Sequence, residues 1–161
     1  AQITQFNARD ARFAQELLRD RGIDLQKIPG TGAAGGLGGA IALLGGQLIS
    51  GFKLISDLVH LEQAILESDL VLTGEGHLDY QSSQGKVVSG VAKLAKKHGK
   101  PCVALVGSRS DDLGMLENDL TAAFSIQTGP ISLDDAIMTQ TTLKNMANTA
   151  QNIARLIESF R

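Results

Sequence analysis

DLVLTGEGHLDYQSSQGKVVSGVAKLAKKHGKPCVALVGS, residues 69–108, changes texture several times, and those changes decide the fold. LVLTG (70–74) is a continuous apolar run ended by glycine, the pattern of a strand buried on both faces of a parallel sheet. Residues 83–98 then show helical spacing. Val87, Val88, Val91, Ala92, Leu94 and Ala95 form one apolar face, Lys93, Lys96, Lys97 and Lys100 solvate the other side, and Gly99 supplies the stop. PCVALVGS (101–108) reads as a second buried strand. Strand, helix and strand in this order form a right-handed crossover unit. Downstream the alternation continues with a short helix at 111–118 and a strand AAFSI at 122–126. A final amphipathic helix at about 139–160 carries Leu143, Met146, Ala147, Ala150, Ile153, Ala154 and Ile157 on one stripe. Residues 61–161 are therefore expected to form an open, mostly parallel, three-layer Rossmann-like α/β unit with its ligand crevice at the carboxyl ends of the strands.

Upstream the texture differs. Ala11, Phe13, Ala14, Leu17 and Leu18 recur at helical spacing within 7–21, with Gly22 as the stop. Residues 23–32 are mixed and broken by Pro29 and Gly30, helix resumes from Gly36 to Leu44, a short helix fits 51–60, and LEQAILES adds a turn or two. No strand is expected in 1–60, which reads as a helical, glycine-rich segment of the same unit or of a second domain. Eight of the 18 glycines fall between Gly30 and Gly46, too dense for scatter and too apolar for a flexible linker. Bare backbone is needed there.

Composition narrows the function classes. With 161 residues, 43% of them hydrophobic, the chain can bury a core. Fifteen Lys plus Arg against 17 Asp plus Glu leave a formal charge of -2, without the basic footprint of a nucleic-acid binder. A single cysteine, Cys102, excludes an internal disulfide, and no apolar run approaches the ~20 residues of a membrane span. The first residues carry no basic-then-apolar leader, so the expected compartment is the cytoplasm. A start at Ala1 rather than Met fits an excised piece as well as a natural terminus.

Three segments are candidates for chemistry. Gly30-Thr31-Gly32-Ala33-Ala34-Gly35 matches the dinucleotide fingerprint, but no buried strand precedes it as that fingerprint requires. A looser reading is a nest of N–H groups at Gly30, Thr31, Gly32, Gly35 and Gly36 for a phosphate or carboxylate, set against simple close helix packing. The densest polar cluster runs from Thr73 through Gly74, Glu75, Gly76, Asp79, Gln81 and Ser82 to Lys86, at a strand-to-helix handover. Glu75 or Asp79 could hold Mg²⁺ and Lys86 a phosphate; equally, Asp79 or Ser82 could cap helix 83–98. Gly85-Lys86 is not a Walker A loop, because that spacing demands glycine at Tyr80 and Ser or Thr at Val87. Gly107-Ser108-Arg109 ends the second strand and could face the same crevice with a hydroxyl and a guanidinium; equally, it could be a plain β-α turn. His60, His77 and His98 lack zinc spacing, and Cys102 reads as a buried structural thiol.

Taken together, PGTGAAGGLGGA (29–40), residues 69–108 and AAFSIQTGPISLDDAIMTQTTLKNMANTAQNIARL (122–156) resemble the bacterial glycerate kinase family over nearly the whole chain. His77 stands where that family more often carries Arg or Gln. The resemblance implies a larger two-domain kinase of which this is a C-terminal portion, because family chains are more than twice as long and their Ser-Phe-Lys-Gly-Ser-like N-terminal motif has no counterpart here. It further implies transfer of the γ-phosphoryl group of ATP, with Mg²⁺, to D-glycerate, giving 2-phosphoglycerate, and a partner in the missing N-terminal part of the same polypeptide. The active site is expected in a cleft between domains. Under that resemblance Glu75, Asp79 and Lys86 are the expected catalytic residues. Gly30, Thr31, Gly32, Gly35, Gly36, Thr73, Gly74, Gly76, Gln81, Ser82 and Ser108 are the expected substrate- or phosphate-binding ones, and Glu75 and Asp79 the expected metal ligands. The alternatives are a non-catalytic nucleotide- or small-acid-binding domain that keeps the fold, and an oxidoreductase resting only on the fingerprint.

Overall fold

The structure is a computed structural model that describes residues 2–83 and 86–160. It divides into two compact units, Ala1–Lys53 and Leu54–Arg161, where the sequence placed the change of texture after residue 60. In the first unit α1 (Gln2–Arg21) starts five residues earlier than its apolar spacing suggested and ends at Gly22, whose φ of +68° and N–H to the Leu18 carbonyl close the last turn. A single 3-10 turn (Leu25–Lys27) follows, capped by the Asp24 carboxylate on the Gln26 N–H. The Thr31 hydroxyl donates to the carbonyls of Leu25, at 2.8 Å, and Ile28, at 3.1 Å, and ties that turn to the glycine-rich loop.

That loop leads into α2 (Leu37–Leu43). A Cβ placed on Gly38 would sit 2.3 Å from the Gly30 carbonyl oxygen, so α2 lies against the loop backbone at a distance only glycine allows. Beside it, the Gly39 N–H donates to the Thr31 carbonyl at 2.8 Å. Two short helices follow, α3 (Gly51–Leu58) and α4 (Leu61–Leu66), with His60 in the left-handed region between them.

The second unit is built on a parallel sheet in the order β1 (Val71–Thr73), β3 (Cys102–Val106) and β5 (Ala122–Ser125). Its register pairs Val71 with Cys102, Val103 with Ala122 and Leu105 with Phe124. β2 (His77–Leu78) and β4 (Ser108–Arg109) form a second parallel pair just beyond the carboxyl ends of β1 and β3. Across one sheet face lie α5 (Val87–Lys97) and α6 (Leu116–Asp119), and the core gathers Leu78, Val88, Ala104, Val106, Leu113 and Leu116. α7 (Leu133–Ala136) and α8 (Thr139–Glu158) complete the unit, with α8 packed against β3. The expected strand and helix order and the open parallel sheet are present.

Several details differ from expectation. α5 begins at Val87, after a 3-10 turn over Tyr80–Ser83, and the expected start at 83 runs into residues 84–85, outside the described ones. Val87 is 63% exposed rather than on the core face, because as the first residue of the helix it precedes the turn that meets the sheet. Of the expected helix 111–118 only 116–118 are helical, the start of α6, since Gly114 takes φ +57° and donates its N–H to Asp112. Leu72 is 55% exposed, not sandwiched, because β1 is a three-residue edge strand. On α8 Ile153 is buried while Leu143, Met146 and Ile157 are exposed. A 20-residue helix spans about 30 Å and overshoots strands of about 17 Å.

Two observations give predictions for folding. Cys102 is buried in β3 and desolvation pushes its thiol up to about 11, so the native protein should not react with a thiol reagent at neutral pH. Labelling followed by mass spectrometry should modify Cys102 only in denaturant; rapid native labelling contradicts the placement. Between α4 and α5, Glu62 accepts from Lys97 Nζ at 2.7 Å and His98 Nε2 at 2.6 Å. Those hydrogen bonds, Lys97 first, hold the Glu62 carboxyl below its ordinary 4.5. A carboxyl depressed in the folded state contributes stability above its unfolded value and loses it as pH falls through the folded one. Acid melting curves from pH 5 down to 3 should therefore be flatter for Glu62→Gln than for the unsubstituted chain.

Candidate active site

The second unit's site is assembled where β1 and β3 end. Beyond Thr73 the two chains stay in register through backbone bonds: the Gly107 N–H donates to the Glu75 carbonyl, the Ser108 N–H to Gly76 and the Ser110 N–H to Leu78. The approach is close enough that a Cβ on Gly74 would lie 2.2 Å from the Leu105 carbonyl oxygen, and one on Gly107 would lie 2.5 Å from that of Gly76. Gly74 is therefore set by strand packing, whereas a Cβ on Gly76 would meet nothing within 4 Å.

This zipper sets His77 beside Ser108. His77 Nδ1 lies 2.7 Å from the Ser108 hydroxyl and Nε2 lies 3.4 Å from the Ser110 hydroxyl, so the ring bridges the two serines flanking Arg109. Arg109 itself donates to the carbonyls of Ser110 and Ala123. In the sequence His77 stands out as a departure from a family pattern and as a histidine without zinc spacing; its pairing with Ser108 depends on a 31-residue separation that no local motif reveals.

Asp79 and Ser82 form a reciprocal turn. The Ser82 N–H and hydroxyl both donate to Asp79 Oδ1, at 3.0 and 3.2 Å, and the Asp79 N–H donates back to the Ser82 hydroxyl. Ser82 is wholly buried. Desolvation raises the Asp79 carboxyl, but the Ser82 N–H and hydroxyl, the charge of Lys86 and the Gln81 N–H together hold it below its usual range. Asp79 thus closes the 3-10 turn rather than capping α5, whose N-cap position is held by Lys86 without a side-chain cap bond. The Gln81 amide donates to the Tyr80 hydroxyl.

Glu75 differs from both. Its Oε1 is buried and has no hydrogen-bond partner among the described residues. A buried carboxylate oxygen without a donor costs free energy, which a water, a cation or a ligand hydroxyl would recover. Among the described residues no three His, Cys, Asp or Glu side chains converge as a protein-only metal site. Magnesium does not need one, because it binds through one or two carboxylates and takes its remaining ligands from phosphate oxygens and water. The donor set fits it.

In the first unit the glycine-rich loop spends most of its N–H groups on itself. Those of Thr31, Ala33, Gly36, Gly38 and Gly39 donate to carbonyls between Ile28 and Ala33. The N–H groups of Gly30, Gly32 and Gly35 have no partner among the described residues. Ala34, Gly35 and Gly36 all take positive φ, which turns the chain sharply before α2. Against this loop, α1 and the 3-10 turn enclose a cavity of about 440 Å³ lined by Asn7, Asp10, Phe13, Gln26, Gly32 and Gly35 among others. Asn7 and Asp10 share a helix face with Ala11 and Ala14, a spacing present in the sequence but carried by polar residues that an apolar stripe does not include.

An open parallel sheet with helices packed on it defines an α/β protein, and the polar side chains lie beyond its carboxyl edge, where open α/β sheets take their ligands. Residues 1–158 match the glycerate kinase family, and the chain belongs to that family. It is 37% identical over 156 residues to the glycerate 2-kinase of Escherichia coli K12, covering 96% of this chain and 40% of that protein. The glycerate kinase of Halalkalibacterium halodurans is 38% identical over 156 residues, again covering 96% of this chain and 40% of the relative. A solved Salmonella typhimurium LT2 structure, whose description proposes a glycerate kinase 2, superposes with a TM-score of 0.65 at 37% identity, covering 92% of this chain and 37% of the other. The chain thus spans about 40% of the length of the curated relatives it matches. No helix among the described residues is long and apolar enough to cross a membrane.

Proposed function

We propose that this chain supplies part of the active site of an ATP-dependent kinase that transfers the γ-phosphoryl group to a hydroxyl of D-glycerate, giving ADP, 2-phosphoglycerate and a proton. The observation that carries the reading is the buried Oε1 of Glu75, without a hydrogen-bond partner among the described residues, at the carboxyl end of the sheet, with Lys86 and the Ser108 hydroxyl contributed by the same unit. Phosphoryl transfer asks for positioning and charge neutralisation more than covalent chemistry. A magnesium ion, when bound, would neutralise phosphate charge, and Glu75 is the side chain placed to hold it. Lys86, exposed and close enough to influence the Asp79 carboxyl, supplies positive charge to the transferring group. Asp79, already accepting from the Ser82 N–H and hydroxyl and held ionised, closes the turn and is a poor proton acceptor at neutral pH. Ser108, oriented by His77, and the N–H of Gly76 are offered to the substrate. The cytoplasm is the compartment where this substrate pair would be met.

The test is glycerate-dependent ADP formation with Mg-ATP, run on this chain and on a polypeptide of the relatives' full length, with the product's phosphorylated position read by ³¹P NMR. Activity confined to the longer protein, and reduced about 10²–10³-fold by Lys86→Ala at unchanged stability, supports the reading. Glycerate-independent ATP hydrolysis, or none in either protein, rejects it. Nucleotide or small-acid binding without turnover in the longer protein selects the non-catalytic alternative.

A further inference from the structure

We infer that the cavity between α1 and the glycine-rich loop is a nucleoside site, taking the base and ribose of ATP rather than glycerate. The inference rests on the kinase reading and deepens it. Size comes first: at about 440 Å³ the cavity falls in the range of small-molecule sites, far larger than a three-carbon acid and fit for a purine with its sugar. The lining residues give the chemistry. Phe13 offers an aromatic face on which a base can stack, with 56% of its surface still exposed. Asn7 and Gln26 bring amides, whose paired donor and acceptor match the edge of a purine. Asp10 brings a carboxylate, the acceptor that a ribose diol satisfies with its two hydroxyls.

Charge argues against the smaller ligand. Among the described residues no Lys or Arg lines the cavity, and the one acidic side chain there, Asp10, repels a carboxylate or a phosphate placed beside it. A neutral nucleoside meets no such repulsion. Gly32 and Gly35 form part of the wall, and their N–H groups have no partners among the described residues.

The experiment titrates adenosine and, separately, D-glycerate into the ¹⁵N-labelled chain and follows amide shifts. Adenosine is expected to give saturable shifts at Asn7, Phe13, Gln26 and Gly32, and glycerate none there. Phe13→Ala should weaken adenosine binding about ten-fold and Phe13→Tyr should restore it, while Asp10→Asn should weaken adenosine more than adenine. Both side chains are exposed, so these variants keep their melting temperature. Absence of adenosine shifts, or shifts confined to residues 73–110, overturns the inference. The kinase reading survives that result if the longer protein still forms ADP from ATP and glycerate, and falls only if it does not.

Discussion

Glu75→Gln is expected to make the ligand-free chain more stable and the longer enzyme nearly inactive. The two effects have one source. Among the described residues the buried Oε1 faces no donor, and a carboxylate oxygen left unpaired costs more than the oxygen of a neutral amide. Removing the charge should raise stability by about 1 kcal/mol, a rise of roughly 2–4 °C in Tm for a chain of this size. The backbone is untouched, because the Glu75 carbonyl goes on accepting the Gly107 N–H at 3.1 Å. In the longer enzyme the same change removes the ligand offered to the cation beside the phosphates, and kcat should fall about 10²–10³-fold. Thermal melts and steady-state kinetics on one variant read both. A fall in Tm together with lost activity would make Glu75 a structural residue, and retained activity would remove it from the site.

The second large effect is purely structural. Gly74→Ala places a methyl 2.2 Å from the Leu105 carbonyl oxygen, where neither atom belongs to a side chain that can swing aside. Relief requires β1 and β3 to separate at the point where their ladder passes on to β2 and β4. Overpacking of this rigid kind lies at the upper end of the usual range, about 3 kcal/mol, or roughly 6–12 °C in Tm. Gly76→Ala, two residues on with open space around its Cβ, is the matched control and should stay within about 0.5 kcal/mol of the unsubstituted chain. Equal Tm values for the two variants would contradict the strand approach described here.

Residues 69–126 were legible because buried parallel strands and a one-faced helix impose strong periodicities: LVLT, PCVALV and AAFSI each became a strand, and Val88, Val91, Ala92 and Ala95 each turned inward. What escaped was set by tertiary contacts. Nothing local in HL or SR signals the two-residue strands β2 and β4, which exist only because each completes the other. The exposure of Leu72 follows from the sheet's edge, which periodicity cannot see. In the site, the cluster from Thr73 to Lys86 was visible as a polar island, but only the structure divides it into a turn closed by Asp79 and Ser82 and a carboxylate, Glu75, left without a donor. The glycine-rich loop showed its need for bare backbone at once. That Gly38 serves the approach of α2 to Gly30, while Gly32 borders a cavity, required coordinates.

The pairing of the strands also determines how the second unit comes into being. Each strand neighbour in the sheet is parallel, so no hairpin offers a short route: Val71 waits for Cys102, and Val103 for Ala122. Each pairing must await closure of a loop that contains a helix, which places the entropic cost of ordering the chain before the reward of the ladder. Refolding should accordingly be slower than for a helical bundle of equal length, with α5 forming ahead of the sheet it will cover.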